Sequence, residues 1–135
     1  MLRRLLLVVA LAFFSITAEA RHAAKALMDP PPLVVPNGVT LVDVEKAILT
    51  SSVKHDWTVV DNKPGAIVLQ YAIREFSVKV TVKYDTHTVI ITYLDSSNLE
   101  YGKEDGVAVI HPNYNRWIYS LAHDIESDMV VWSAK

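Results

Sequence analysis

Residues 66–84 read AIVLQYAIREFSVKVTVKY, and their alternation decides the fold. In the first half Ile67, Leu69, Tyr71 and Ile73 share a face. In the second, Phe76, Val78, Val80, Val82 and Tyr84 alternate with Ser77, Lys79, Thr81 and Lys83, the period of a strand with one wet face. A two-residue connection at Arg74-Glu75 pairs Ile73 with Phe76, Tyr71 with Val78, Leu69 with Val80 and Ile67 with Val82. Every apolar position then lands on one side, and a slip of one residue would reverse them all. Neither Arg74 nor Glu75 favours the positive φ of primed hairpin turns, so a bulge or a longer loop is the alternative there. After Asp85-Thr86-His87-Thr88, a further run sets Val89, Ile91 and Tyr93 against Tyr84, Val82 and Val80, with Ile90 and Leu94 facing outward.

Upstream, Trp57 to Val60 is a short apolar run, followed by the turn residues Asn62-Lys63-Pro64-Gly65. Before it, Thr40 and Asp43 stand at capping-box spacing with Val39 and Val44 placed as a hydrophobic staple. A helix is predicted from there to about Ser52, with Leu41, Val44, Ala47 and Ile48 on its buried face. Downstream, Pro112 suits a first helical position, and Tyr114, Trp117, Ile118, Leu121 and Ile125 form an apolar stripe extending to about Met129. The resulting expectation is an α+β domain over residues 39–129. It is a two-layer sandwich in which two helices cover one face of an antiparallel four-stranded meander, in the order α-β-β-β-β-α. Residues 130–135 are expected to form a tail.

The N-terminal 20 residues, MLRRLLLVVALAFFSITAEA, place Arg3 and Arg4 before an apolar run that ends in Ala18-Glu19-Ala20. This is the pattern of a secretory signal, and the run is about half the ~20 residues of a membrane-spanning helix. A periplasmic or secreted product without stable membrane insertion follows as the expectation. Residues 21–38 carry Pro30, Pro31, Pro32 and Pro36, which withdraw amide donors and predict an extended leader or linker. The chain is 51% hydrophobic and 21% charged and has no cysteine, so neither disorder nor a disulfide scaffold describes it. Thirteen Lys and Arg stand against 15 Asp and Glu, a net −2 that becomes −3 once Arg3, Arg4 and Glu19 are removed. No basic stripe with interleaved aromatics stands out, which argues against nucleic acid as a partner.

Chemistry-bearing residues concentrate between Tyr93 and Trp117. Asp95, Ser97, Asn98, Tyr101, His111, Tyr114, Asn115 and Trp117 are the candidate binding residues, because hydrogen-bonding groups and rings cluster where a long loop meets a helix start. The same residues serve equally as local side-chain turns and caps that pin that loop. A Ser96 or Ser97 nucleophile with His111 as base and Asp124 as orienter defines a hydrolase alternative, although no nucleophile-elbow pattern surrounds either serine. Glu100, Glu104 and Asp105 lie near Gly102 and Gly106 in what reads as a solvated loop. The histidines at 22, 55, 87, 111 and 123 lack metal-ligand spacing, so neither a metal nor another cofactor is expected. Asp124, Glu126 and Asp128 oppose the dipole of the last helix and call for a cation or a contact from elsewhere in the fold.

The runs WTVVDNKPGAIVLQY, VKVTVKY, ITYLDSSNLEY and IHPNYNRWIYSLAHDI together resemble a family of short, uncharacterised exported proteobacterial proteins, some of them lipid-anchored. The likeness spans about residues 40–126 and implies an envelope location and a single α+β domain, with no reaction attached. This chain lacks the cysteine that carries the acyl chains in lipidated members. The functional expectation is a noncatalytic module for an envelope component or a periplasmic protein. The structural alternative is an accessory subunit whose apolar strip, Ile90, Leu94, Val130, Val131 and Trp132, a partner would cover.

Overall fold

In a computed structural model, residues 24–133 are described, and the expected signal at 1–20 lies outside them. The elements run β1 (Lys25–Ala26), β2 (Leu33–Val34), α1 (Leu41–Lys54), β3 (Thr58–Lys63), β4 (Ala66–Ile73), β5 (Phe76–Tyr84), β6 (Thr88–Ser97), β7 (Gly102–Glu104), β8 (Val107–Ile110) and α2 (Pro112–Ser133). The fold is α+β, with two helices and two antiparallel sheets. One sheet has the order β2-β6-β5-β4-β3 and the other β1-β8-β7.

The central hairpin has the register its alternation dictates, with Ile73 opposite Phe76, Leu69 opposite Val80 and Ile67 opposite Val82. Its two-residue turn puts Arg74 at φ 55°, a left-handed conformation without a glycine. Strand β6 sets Val89, Ile91 and Tyr93 against Tyr84, Val82 and Val80. The inward residues of β4, β5 and β6 share one core with Val44, Ala47 and Ile48 of α1 and Ile118, Leu121 and Ile125 of α2.

Four expectations need correction. The four-stranded sandwich is incomplete, because β7 and β8 form within the expected long loop before α2 and two more strand pairings come from the supposed linker. Lys25 and Ala26 pair with Ile110 and Val109, and Leu33 and Val34 pair with Val89 and Thr88. Leu33 and Val35 are buried, so hydrophobic contact and ladder hydrogen bonds outweigh the local stiffness of the prolines around them. The expected tail is helical through Ser133, since no breaker follows Met129. Leu41 is exposed, as is Val42 beside it, so the buried stripe of α1 begins at Val44.

Start and stop of α1 have separate causes. The Thr40 hydroxyl accepts from the Asp43 amide and the Asp43 carboxylate accepts from the Thr40 amide, each at 3.2 Å. At the other end the Trp57 amide bonds the Ser52 carbonyl and the Asp56 amide bonds the Val53 carbonyl, the pairing of a Schellman motif. Asp56 occupies its left-handed position at φ 61°, where glycine is the usual choice.

Candidate functional site

A bulge in β6 builds the site. Lys79 lies opposite Asp95 and Val80 opposite Tyr93, which leaves Leu94 as the extra residue. Without it, residues three apart would point to opposite faces of the sheet. With it, Ser96 returns to the face of Tyr93, and their hydroxyls meet at 2.6 Å. The chain then leaves the strand through two left-handed residues, Asn98 at φ 61° and Glu100 at φ 56°, while Leu99 between them is buried in the core. The Leu99 carbonyl accepts from the His111 amide at 2.7 Å, and the Asn98 side-chain amide donates to the Glu75 carbonyl at 2.7 Å. This double turn folds Tyr101 back onto Tyr93, with centroids 4.4 Å apart and planes inclined by 13°. The result is a groove of about 490 Å³ lined by Tyr93, Leu94, Asp95, Ser96, Asn98, Leu99, Glu100 and Tyr101.

The groove rests on a rigid back wall. Tyr93 meets Tyr114 edge-on, with centroids 5.8 Å apart. Tyr114 is fully buried, and its hydroxyl donates to Asp29 Oδ1 at 3.1 Å, an atom that also accepts from the Tyr93 amide at 3.2 Å. Asn115 holds the N-terminal segment from the other side, accepting from the Met28 amide at 3.0 Å and donating to the Ala26 carbonyl at 3.1 Å. Burial raises the hydroxyl pKa of Tyr93, and Tyr114 is raised further by burial together with the Asp29 charge. Both phenols therefore stay protonated at neutral pH.

The structure divides the candidate residues. Asp95, Asn98 and Tyr101 line the groove, joined there by Ser96. Ser97 is exposed at the end of β6, opposite Ser77. His111 caps α2, its Nδ1 accepting from the Asn113 amide at 3.1 Å and its ring lying 6.1 Å from that of Phe76. Tyr114 and Asn115 hold the fold behind the groove, and Trp117 packs on Tyr71 with centroids 4.9 Å apart. Tyr93, Leu94, Leu99 and Glu100, outside the candidate set, complete the lining, and Glu100 is exposed there. Glu104 and Asp105 belong instead to the β7–β8 hairpin, with Asp105 and Gly106 both at positive φ.

Ser96 is bonded to a protonated phenol, and Asp124, the orienter in the hydrolase alternative, is engaged elsewhere. It accepts from His55 Nε2 at 2.5 Å and Lys54 Nζ at 3.2 Å, contacts that hold its carboxyl below the usual aspartate range, with the His55 bond the largest cause. Because α2 continues to Ser133, Asp124, Glu126 and Asp128 stand short of its last turn, which removes the expected conflict with the helix dipole. Among the described residues no three His, Cys, Asp or Glu side chains gather as metal ligands. The apolar strip envisaged for an accessory subunit is divided: Ile90 points off the sheet away from the helices, Val130 and Val131 are exposed on α2, and Trp132 lies partly buried under Lys46. No family model, curated protein or solved structure matches the chain.

Proposed function

We propose that this protein is an exported, noncatalytic binding domain whose groove at Tyr93 to Tyr101 receives a basic segment of a periplasmic protein partner. The observation that carries the reading is the position of Tyr101. Its ring is held flat on Tyr93 and is 45% exposed, in a groove that also carries the carboxylates of Asp95 and Glu100. Neither carboxylate forms an ion pair among the described residues, and Asp95 Oδ1 accepts only from the neighbouring Ser96 amide. A fixed aromatic face in a groove lined by two acidic residues, Asp95 lying opposite Lys79 in the ladder, suits an arginine or lysine side chain, through cation–π attraction and charge-assisted hydrogen bonds. The ring is already ordered, so binding loses little side-chain entropy there. Export is supported by the arginine-led apolar N-terminus ending in Ala18-Glu19-Ala20. Within the described residues no helix is long and apolar enough to cross a membrane.

The test is a titration of ¹⁵N-labelled protein with an Arg/Lys-rich peptide and with a Glu-rich peptide of equal length. The basic peptide alone is expected to shift the amides of residues 93–101, with affinity falling as salt rises. Joint replacement Asp95→Asn and Glu100→Gln should weaken it about tenfold or more. Equal binding by the double variant, or shifts confined to other surfaces, overturns the reading.

A further inference from the structure

A second cavity, of about 230 Å³, opens at the C-terminus of α1, where Lys54, His55, Asp56 and Trp57 face Tyr71 of β4 and the α2 residues Trp117 and Ser120. It shares no lining residue with the groove. Its apolar side is a run of three rings in contact, Trp57 and Tyr71 with centroids 5.4 Å apart and planes inclined by 38°, Tyr71 and Trp117 4.9 Å apart and inclined by 57°. Trp57 is buried, so Tyr71 and Trp117, both partly exposed, supply the accessible ring surface.

The polar side is mixed in sign and partly committed. Lys54 and His55 are both spent on Asp124. With Nε2 engaged, His55 keeps Nδ1 for a ligand, and Asp56 and Ser120 are exposed at the same opening. Asp56 opposes folding on two counts. It sits at φ 61°, where a side chain is strained, and it brings a negative charge to the negative end of α1.

We propose that this cavity binds a single neutral pyranose ring of a glycan. An accessible ring face of Tyr71 or Trp117 matches the C–H face of a sugar, whereas a quaternary ammonium prefers several rings arranged around a common centre, and only these two are accessible here. The available rim groups, a carboxylate, an imidazole nitrogen and a hydroxyl, suit the vicinal hydroxyls of such a ring. Lys54 and Asp124 offset one another, which leaves the Asp56 carboxylate as the acceptor for ligand hydroxyls. The volume lies below the ~300–1,000 Å³ of pockets for drug-sized ligands and leaves room for one ring rather than a chain.

The experiment titrates ¹⁵N-labelled protein with the methyl glycosides of glucose, galactose, mannose and N-acetylglucosamine, and separately with tetramethylammonium chloride. At least one glycoside is expected to bind saturably, shifting the amides of residues 54–57 and the indole signal of Trp117 while leaving residues 93–101 unmoved. Asp56→Gly, which relieves strain and so keeps the fold, should weaken that binding about tenfold by removing a charged acceptor. Ser120→Ala on the exposed face of α2 should weaken it less. Absence of saturable shifts with all four glycosides, undiminished binding by Asp56→Gly, or a response to tetramethylammonium alone overturns the proposal.

Discussion

The carboxylate of Asp29 accepts a hydrogen bond from the hydroxyl of Tyr114, 85 residues later in the chain. The same oxygen takes the Tyr93 amide, so one exposed side chain joins the N-terminal segment, the bulged strand and the last helix.

Removing that acceptor leaves a buried phenol without its partner. Asp29→Ala is expected to destabilise the domain by about 1–3 kcal/mol in urea unfolding, and Tyr114→Phe by less, because Asp29 can turn to water. In the double variant the two losses should not add.

Burial of Leu33 is a separate contribution of the same segment. Leu33→Ala is expected to cost about 2–4 kcal/mol, as for other buried leucines, while Val34→Ala at the neighbouring exposed position should stay within about 0.5 kcal/mol. Equal effects at the two positions would show that the segment does not pack in solution.

At φ 61°, Asn98 combines a left-handed backbone with a hydrogen bond to the Glu75 carbonyl. Asn98→Gly keeps the conformation and loses only the bond, a cost of about 1 kcal/mol or less. Asn98→Ala should cost roughly 1 kcal/mol more, because alanine resists positive φ. Thermal unfolding of the pair measures the difference.

Asp56 makes the opposite prediction. Replacement by glycine removes left-handed strain and an anion at a helix C-terminus, and is expected to stabilise by about 1 kcal/mol in equilibrium unfolding.

Acid sensitivity should pass through Asp124. Its folded pKa is depressed, so the stability it contributes is fully present above the ordinary aspartate value near ~4 and is lost as pH falls through the lower folded value. Asp124→Asn is expected to lower stability at pH 7 and to flatten the acid limb of the stability–pH curve below pH ~4. An unchanged acid limb would show that the contact with His55 contributes nothing.

Much of the fold was legible because its signals are local. The alternation from Ile67 to Tyr84 specifies both strands and their register, since one slip exposes every valine. Thr40 and Asp43 mark the start of α1, and Tyr114 to Ile125 mark the buried stripe of α2. The Asp105-Gly106 turn carries a short-range hairpin signal, but its strands are too short to show a period, and the stretch reads from sequence as a solvated loop.

The chain by itself determined which residues are apolar, their spacing, and hence the central hairpin and both helix faces. Tertiary structure decided that prolines 30–32 lie in a segment that packs, that Leu94 bulges so that Ser96 meets Tyr93, and that Asp124 binds His55 rather than serving His111. The physical reason is separation along the chain. A helix or strand repeat is written within a few residues, whereas a two-residue strand, a bulge or an ion pair spanning 69 residues is stabilised only by what the rest of the fold brings against it.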